Sequence, residues 1–170
     1  MEPTSERIDS RYSDPAADAV PWKQAVARLA AAEVAWIVTV RPDGRPHSTP
    51  MTPVVRDDKV YFHTGAPEVK HTNLESNPHV LVLAGDTAWE CGLDVVVEGV
   101  AAPVTDEAVL REVVELYASR WDGRWKLRVL EGRLDDFRDR EFPLVPFEVT
   151  PTKAFAHSKG DPFSQTNYRF

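Results

Sequence analysis

The chain contains few of the residues that form disulfides, metal centres or membrane spans. Cys91 is its one cysteine, so no disulfide can form within the chain, which is compatible with a reducing compartment. The five histidines follow neither the H-E-x-x-H spacing nor the Cys/His spacings of metal sites. No apolar run approaches the length of a membrane span. These absences favour a globular protein that holds no metal ion.

An excess of positive charge is also missing. The formal net charge is −7 at pH 7, whereas domains that bind nucleic acid usually carry a basic face. Residues 1–20 lack the basic and apolar stretches of a secretory signal. The chain contains neither a Walker phosphate loop nor a G-x-S-x-G nucleophile elbow. We therefore expect a cytoplasmic protein that acts on a small molecule and contacts neither nucleic acid nor membranes.

What the chain does contain is a series of strand patterns in residues 34–85. Apolar residues at alternate positions over 34–40 predict a strand with one apolar face. The return run over 46–55 is unusually polar and holds Pro50 and Pro53, which cannot donate to a sheet ladder. Part of this strand therefore leaves backbone groups free for another partner.

A third strand pattern ends at Thr64 and Gly65, and a short helix is predicted directly after it. Pro67 suits the first turn of that helix, and Pro78 prevents its continuation. Lys70 falls in the first turns, where its charge and the helix N-terminus favour a phosphate group. The segment therefore places a cation and several hydroxyls near the ends of paired strands.

The order of these motifs resembles the pyridoxamine 5′-phosphate oxidase-like family of flavin-binding split barrels. The specific part is P-D-G-R-P-x-x-T-P, Y-F-x-T-G and K-x-x-N-L-x-x-N-P over residues 42–78, within a similar layout over 22–157. The ending FSQTNYRF also resembles endings in actinobacterial branches of that superfamily. The resemblance implies a mainly β, α+β fold, namely a six-stranded antiparallel Greek-key split β-barrel with flanking helices. It also implies a homodimer with two cofactor sites at the interface.

The resemblance further implies where the cofactor, FMN, binds. The second strand faces the flavin, the turn after the third strand and Lys70 hold its phosphate, and Asn73 lies beside Lys70. Trp89 is a candidate pocket wall, and the C-terminal tail is a candidate cover. The candidate cofactor-binding residues are His47, Ser48, Thr49, Pro50, Met51, Thr52, His63, Thr64, Gly65, Lys70, Asn73, Trp89, Gln165 and Arg169. No side chain is an evident acid or base, and His47 and His63 are the best proton-donor candidates.

The chain departs from the true oxidases of that family. They carry an Arg–Gln pair entering the strand that begins here at Leu93, and of their C-terminal substrate motif only Arg169 remains. We therefore expect a flavin-dependent oxidoreductase that transfers hydride to or from a small organic substrate other than vitamin B6. One alternative is a reductase that uses a deazaflavin (coenzyme F-420), and another is a non-catalytic flavin-binding, haem-binding or stress protein. The cations available for a deazaflavin's oligoglutamate tail are Arg120, Arg124, Lys126, Arg128 and Arg133.

The rest of the chain predicts the frame around this segment. Pro21 opens a helix, Gly99 marks a bulge in a long strand, and Thr105 suits the N-cap of a second long helix. Residues 120–140 form a charged, irregular segment, and 146–157 form a final strand. We expect a polar N-terminal arm at 1–20, a split-barrel domain at 21–157 and a C-terminal tail at 158–170 that closes on the barrel.

Overall fold

Eleven antiparallel strands and three helices make up the part of the chain that the computed structural model describes, residues 1–137 and 141–170. The strands are β1 (Ser5–Ile8), β2 (Ala35–Val40), β3 (Pro46–Met51), β4 (Val54–Arg56), β5 (Lys59–Gly65), β6 (His79–Ala84), β7 (Leu93–Pro103), β8 (Arg128–Leu130), β9 (Arg133–Asp135), β10 (Leu144–Ser158) and β11 (Ser164–Arg169). The helices are α1 (Trp22–Ala31), α2 (Val69–Ser76) and α3 (Glu107–Ser119). The predicted antiparallel, mainly β class is confirmed. The sheet exceeds the expected six strands because β1, β11 and the short β4, β8 and β9 join it.

The strands run β1-β11-β10-β7-β6-β2-β3 across the sheet. β10 pairs with β7 along most of its length, while its other edge pairs first with β5 and then with β11. The inward faces share one apolar core, to which α1 contributes Trp22 and Leu29 and α2 contributes Leu74. This arrangement leaves β3 at an edge of the sheet with α2 close to β2.

β10 changes its buried face at Thr152. Pro151 and Ala154 are both buried, although strict alternation would put these two positions on opposite faces. The register with β7 shifts here, so Thr152 is the extra residue of a bulge. The bulge was expected in β7 at Gly99, and the structure places it in the neighbouring strand opposite that glycine. A Cβ on Gly99 would lie 2.7 Å from the carbonyl oxygen of Thr150, which explains the glycine.

A second apolar core lies between α3 and the outer side of β4 and β5, and it includes Tyr61 and Tyr117. The expected N-cap of α3, Thr105, is wrong by one residue. The carboxylate of Asp106 caps the helix by accepting hydrogen bonds from the backbone N–H groups of Ala108, at 2.8 Å, and Val109, at 3.4 Å.

Both ends of the chain belong to the sheet. Residues 1–20 were expected to form a polar arm, and the structure has strand β1 within them, paired with β11 from Ser5↔Arg169 to Ile8↔Thr166. The hydroxyl of Tyr168 donates a 2.5 Å hydrogen bond to the carbonyl oxygen of Val20, which fixes the entry to α1.

The charged segment 120–140 contains a 3₁₀ turn over Trp121–Gly123 and the β8–β9 hairpin. Its residues 138–140 lie outside the described residues. Among the described residues, no helix combines the length and the apolar character needed to cross a membrane.

Candidate functional site

The predicted site residues of β3 divide between the two faces of the strand. His47, Thr49 and Met51 point towards the interior, whereas Ser48 and Pro50 are exposed on the outer face. This follows from the two-residue period of a strand, since each residue is flanked by neighbours that face the other way. Only the inward set can share a pocket with α2.

The inward face of β3 carries two buried polar atoms that lack a protein partner. The Nδ1 atom of His47 and the Oγ1 atom of Thr49 are buried without a hydrogen bond to any part of the chain that the structure describes. Burial lowers the pKa of His47, and the positive charges of Arg41 and Lys70 lower it further. The imidazole is therefore neutral at pH 7 and presents one ring nitrogen as a donor and the other as an acceptor.

The start of α2 forms a compact charged cluster. Lys70 is 7% exposed, and its ammonium group forms an ion pair with the carboxylate of Glu68. The second oxygen of Glu68 accepts a 2.6 Å hydrogen bond from the backbone N–H of Gly65. Burial alone would raise the pKa of Glu68, but the hydrogen bonds from Lys70 and Gly65 outweigh it and hold that pKa below its ordinary value. Thr64, which is 1% exposed, lies at the same turn.

Asn73 connects this cluster to β3. It is 1% exposed, and its side-chain amide donates a 2.8 Å hydrogen bond to the hydroxyl of Thr39. That hydroxyl donates in turn to the carbonyl oxygen of His47 at 3.4 Å. Since Asn73 lies three residues after Lys70, both side chains leave the same side of α2. The structure therefore brings together His47, Thr64, Gly65, Lys70 and Asn73.

Two residues of this cluster were missed in the sequence. Thr39 reads as an ordinary β-branched strand residue, and only its pairing opposite His47 reveals its role. Glu68 lies two residues before Lys70, where an exposed acid beside a lysine usually reads as a solvated charge. No sequence signal marked it, because Pro67 predicted a helix that already includes Glu68, whereas the structure begins α2 at Val69 and makes Glu68 its N-cap.

His63 and Thr52 lie on the α3 side of the sheet. The ring of His63 packs against the rings of Tyr117, at a centroid distance of 5.3 Å, and Trp125, at 5.2 Å. The carbonyl oxygen of Thr52 accepts a 2.8 Å hydrogen bond from the hydroxyl of Tyr117. Because His63 and Thr64 are adjacent in β5, their side chains point to opposite faces, and only Thr64 points towards the cluster at α2.

Three further predicted residues lie elsewhere in this chain. Trp89 is 87% exposed in the loop between β6 and β7, beside a depression that Lys159 and Phe163 also line. Gln165 and Arg169 belong to β11 and line a groove on the outer face of the sheet. Within one protomer, none of the three belongs to the cluster at α2.

Arg120 and Arg128, which were predicted as tail-binding cations, have structural contacts. The guanidinium of Arg120 donates to the carbonyl oxygens of Pro53, at 2.8 Å, and Ala32, at 3.0 Å. Arg128 forms a 2.6 Å ion pair with Asp135. Arg120 in particular joins the end of α3 to these two carbonyl groups rather than facing a ligand.

A family model described as pyridoxamine 5′-phosphate oxidase matches residues 21–158. The chain belongs to this family. The match spans α1 to the end of β10 and so includes the whole cluster around Lys70. No curated protein gives a significant match.

Several solved structures share the fold of this chain. The FAD binding protein from Mycobacterium smegmatis is 26% identical, with a TM-score of 0.56 over 89% of this chain and 98% of that one. The general stress protein 26 from Bacillus anthracis is 23% identical, with a TM-score of 0.58 over 84% and 96%. A pyridoxamine 5′-phosphate oxidase-related, FMN binding protein from Nostoc punctiforme is 15% identical, with a TM-score of 0.60 over 90% and 93%.

Proposed function

We propose that this protein binds a flavin nucleotide, with FMN as the first candidate, and transfers hydride between the flavin and a small organic substrate. The observation that carries the proposal is the pair of buried, unpartnered polar atoms on the inner face of β3, His47 Nδ1 and Thr49 Oγ1. Buried polar atoms in proteins are almost always hydrogen-bonded. Two of them on one strand, beside the nearly buried Lys70, favour a polar ligand that completes their hydrogen bonds.

The donor set at this place fits a flavin nucleotide. Lys70, the backbone N–H of Gly65 and the hydroxyl of Thr64 are the cation and donors that a phosphate requires. His47 and Thr49 offer a neutral ring nitrogen and a hydroxyl for the polar edge of an isoalloxazine ring. The FAD-binding relative, which is 26% identical over most of both chains, supports a flavin at this site.

The chemistry of hydride transfer is supplied by the flavin when it is bound. The residues of this chain bind and orient that group and exclude water from it. His47 is the stronger of the two predicted donors on position, because its Nδ1 atom has no hydrogen bond to the described part of the chain and can meet a ligand. Its lowered pKa favours the neutral ring, so at pH 7 it would act as a hydrogen-bond partner of the flavin or substrate rather than as an imidazolium acid. His63 packs among aromatic rings on the opposite face, which makes it the weaker of the two predicted donors.

We also propose that two copies of the chain form a homodimer with the cofactor sites at its interface. Val34 is 54% exposed and Trp36 is 52% exposed at the start and outer face of β2. They continue into a shallow, apolar depression of about 370 Å³ lined by Val38 and Leu81. An exposed apolar surface of this kind favours a protein partner, and a second copy would also cover the edge strand β3.

The dimer is tested by multi-angle light scattering of the wild-type protein and of Trp36→Asp. We expect a dimer that becomes monomeric in the variant, with a matching loss of flavin affinity. Leu130→Asp is the control, because Leu130 is equally exposed, at 52%, on a distant hairpin. A monomeric wild-type protein that still binds flavin would refute the shared site.

Flavin binding is tested by the absorbance spectrum and mass of the group that copurifies with the protein, and by titration with FMN. We expect a yellow flavin spectrum that is released on denaturation. Thr49→Val should weaken FMN binding, whereas Ser48→Ala on the exposed face should leave it unchanged. Tight binding of deazaflavin without affinity for FMN would replace our first candidate with the deazaflavin alternative.

Catalysis needs its own measurement, because flavin binding alone also fits a flavin store. We expect steady turnover when reduced nicotinamide and an electron acceptor are supplied to the flavin-loaded protein. A loaded protein that shows no turnover with any donor and acceptor pair would support the non-catalytic alternative.

A further inference from the structure

Glu68 occupies the position at which an external anion would meet Lys70. One oxygen of its carboxylate contacts the Lys70 ammonium, and the other accepts the N–H of Gly65 at 2.6 Å. The side chain of Glu68 is 45% exposed while that of Lys70 is 8% exposed, so the carboxylate is the solvent-accessible member of the pair. A phosphate that approaches Lys70 from solvent therefore meets Glu68 first.

The position of Glu68 is not explained by helix capping. Glu68 is the N-cap residue of α2, but its side chain accepts no hydrogen bond from the first turn of that helix. It points back to Gly65 and across to Lys70. The carboxylate thus uses two of the three donors that the flavin site offers to a phosphate, namely Lys70 and the N–H of Gly65, and the helix start is left without a side-chain cap.

Resting on the proposed flavin site, we propose that Glu68 is a specificity residue that reduces the preference of this protein for a phosphorylated flavin. Among the residues that the structure describes, the ion pair at the anion position is Lys70 with Glu68, and the two charges cancel. A dianionic phosphate must displace the carboxylate or bind beside it, and both cost electrostatic free energy. Riboflavin has no phosphate and need not bind Lys70, so its binding does not include this electrostatic cost. The wild-type protein therefore gains little affinity from the phosphate of FMN.

The test is a fluorescence titration of the full-length protein with FMN and with riboflavin. Glu68→Gln removes the negative charge but keeps an oxygen that can accept the N–H of Gly65. Glu68→Ser removes the charge and also shortens the side chain, so that it no longer extends to Lys70. It provides a second variant if the first folds poorly. Glu75→Gln is the matched control, because Glu75 lies on the same helix and its carboxylate lies 3.9 Å from the Nδ1 atom of His71. Thermal unfolding of each variant verifies that the fold is intact.

We expect wild-type protein and Glu75→Gln to bind FMN and riboflavin within about threefold of each other. Glu68→Gln and Glu68→Ser should each raise the FMN affinity by at least about tenfold and leave the riboflavin affinity unchanged, given the size of charge interactions at a partly buried site. A wild-type protein that prefers FMN strongly, with no gain in either Glu68 variant, would overturn the role of Glu68 while the flavin site stands. Failure of every variant to bind either flavin would overturn the flavin site and this inference together.

Discussion

The side-chain amide of Asn73 and the hydroxyl of Thr39 are joined by a 2.8 Å hydrogen bond that fixes α2 to β2. Both residues are almost fully buried, at 1% and 0% exposure. The bond sets the position of Lys70 one helical turn before Asn73 and, through the contact of Thr39 with the His47 carbonyl, the position of β3. The geometry of the candidate site therefore depends on two residues that need not touch a ligand.

Replacing either member of this pair should destabilise the fold and weaken flavin binding. Asn73→Ala leaves the buried Thr39 hydroxyl without its donor, so we expect a loss of about 1–3 kcal/mol in the free energy of unfolding. Thr39→Val should cost a similar amount. A double-mutant cycle by chemical denaturation tests the coupling, since the double variant should lose less than the sum of the two single losses. Fully additive losses would show that the bond contributes nothing.

Lys70→Ala should reduce the binding of FMN far more than the binding of riboflavin. It removes the cation that pairs with Glu68 and leaves the carboxylate of Glu68 facing the phosphate. We expect a loss of about 1.5–3 kcal/mol in the binding free energy of FMN, because the Glu68 carboxylate, no longer paired with Lys70, repels the phosphate. Isothermal titration against both flavins measures the difference, with Lys126→Ala at an exposed position as control. Equal losses for the two flavins would place the phosphate elsewhere.

Arg120→Ala should destabilise the protein, because Arg120 joins the end of α3 to the backbone carbonyl groups of Pro53, between β3 and β4, and Ala32, at the end of α1. We expect a loss of about 1–3 kcal/mol in the free energy of unfolding. Lys126→Ala, at an exposed position in the same segment, should change it by less than about 0.5 kcal/mol. If Arg120→Ala instead left stability intact and weakened only deazaflavin binding, Arg120 would belong to a tail-binding surface after all.

Stability should fall as the solution is acidified through pH 6.5. The pKa values of His47 and His157 lie below the ordinary value of 6.5, in both cases first because of burial. Below pH 6.5 these two histidines are protonated in the unfolded chain but still neutral in the folded chain. Acidification therefore favours unfolding until the pH falls below the folded-state pKa values. Denaturant titrations at several pH values should show this slope. His47→Gln should make it shallower, and a variant with an unchanged slope would exclude His47 as a source.

The local order of elements could be predicted from the sequence because short-range signals specify it. Alternating apolar residues identify β2, and Pro67 and Pro78 bracket α2 closely. The class of fold followed from strands that succeed one another directly. The pairing of β1 with β11 could not be predicted in this way, because it joins residues at opposite ends of the chain and the four-residue β1 has no apolar alternation.

The candidate site was only partly predictable for a similar reason. A strand covered on both sides gives no sign of which side faces a ligand, so His63 and Thr64 seemed equivalent. The aromatic partners of His63 are Tyr117 of α3 and Trp125 of the segment that follows it, both more than fifty residues further along the chain. Glu68 was missed because its charge and exposure resemble those of an ordinary surface acid, and only the distance to Gly65 reveals its contact.

At the bulge, the presence of a residue at position 152 matters more than which side chain it carries. The residue is exposed, so many substitutions should be tolerated there. Deleting Thr152 would remove the bulge and reverse the faces of the strand on one side of it. Either the buried residues before Thr152 or those after it would then face solvent. In an alignment of related sequences, such a position would vary freely in composition and yet almost never be gapped.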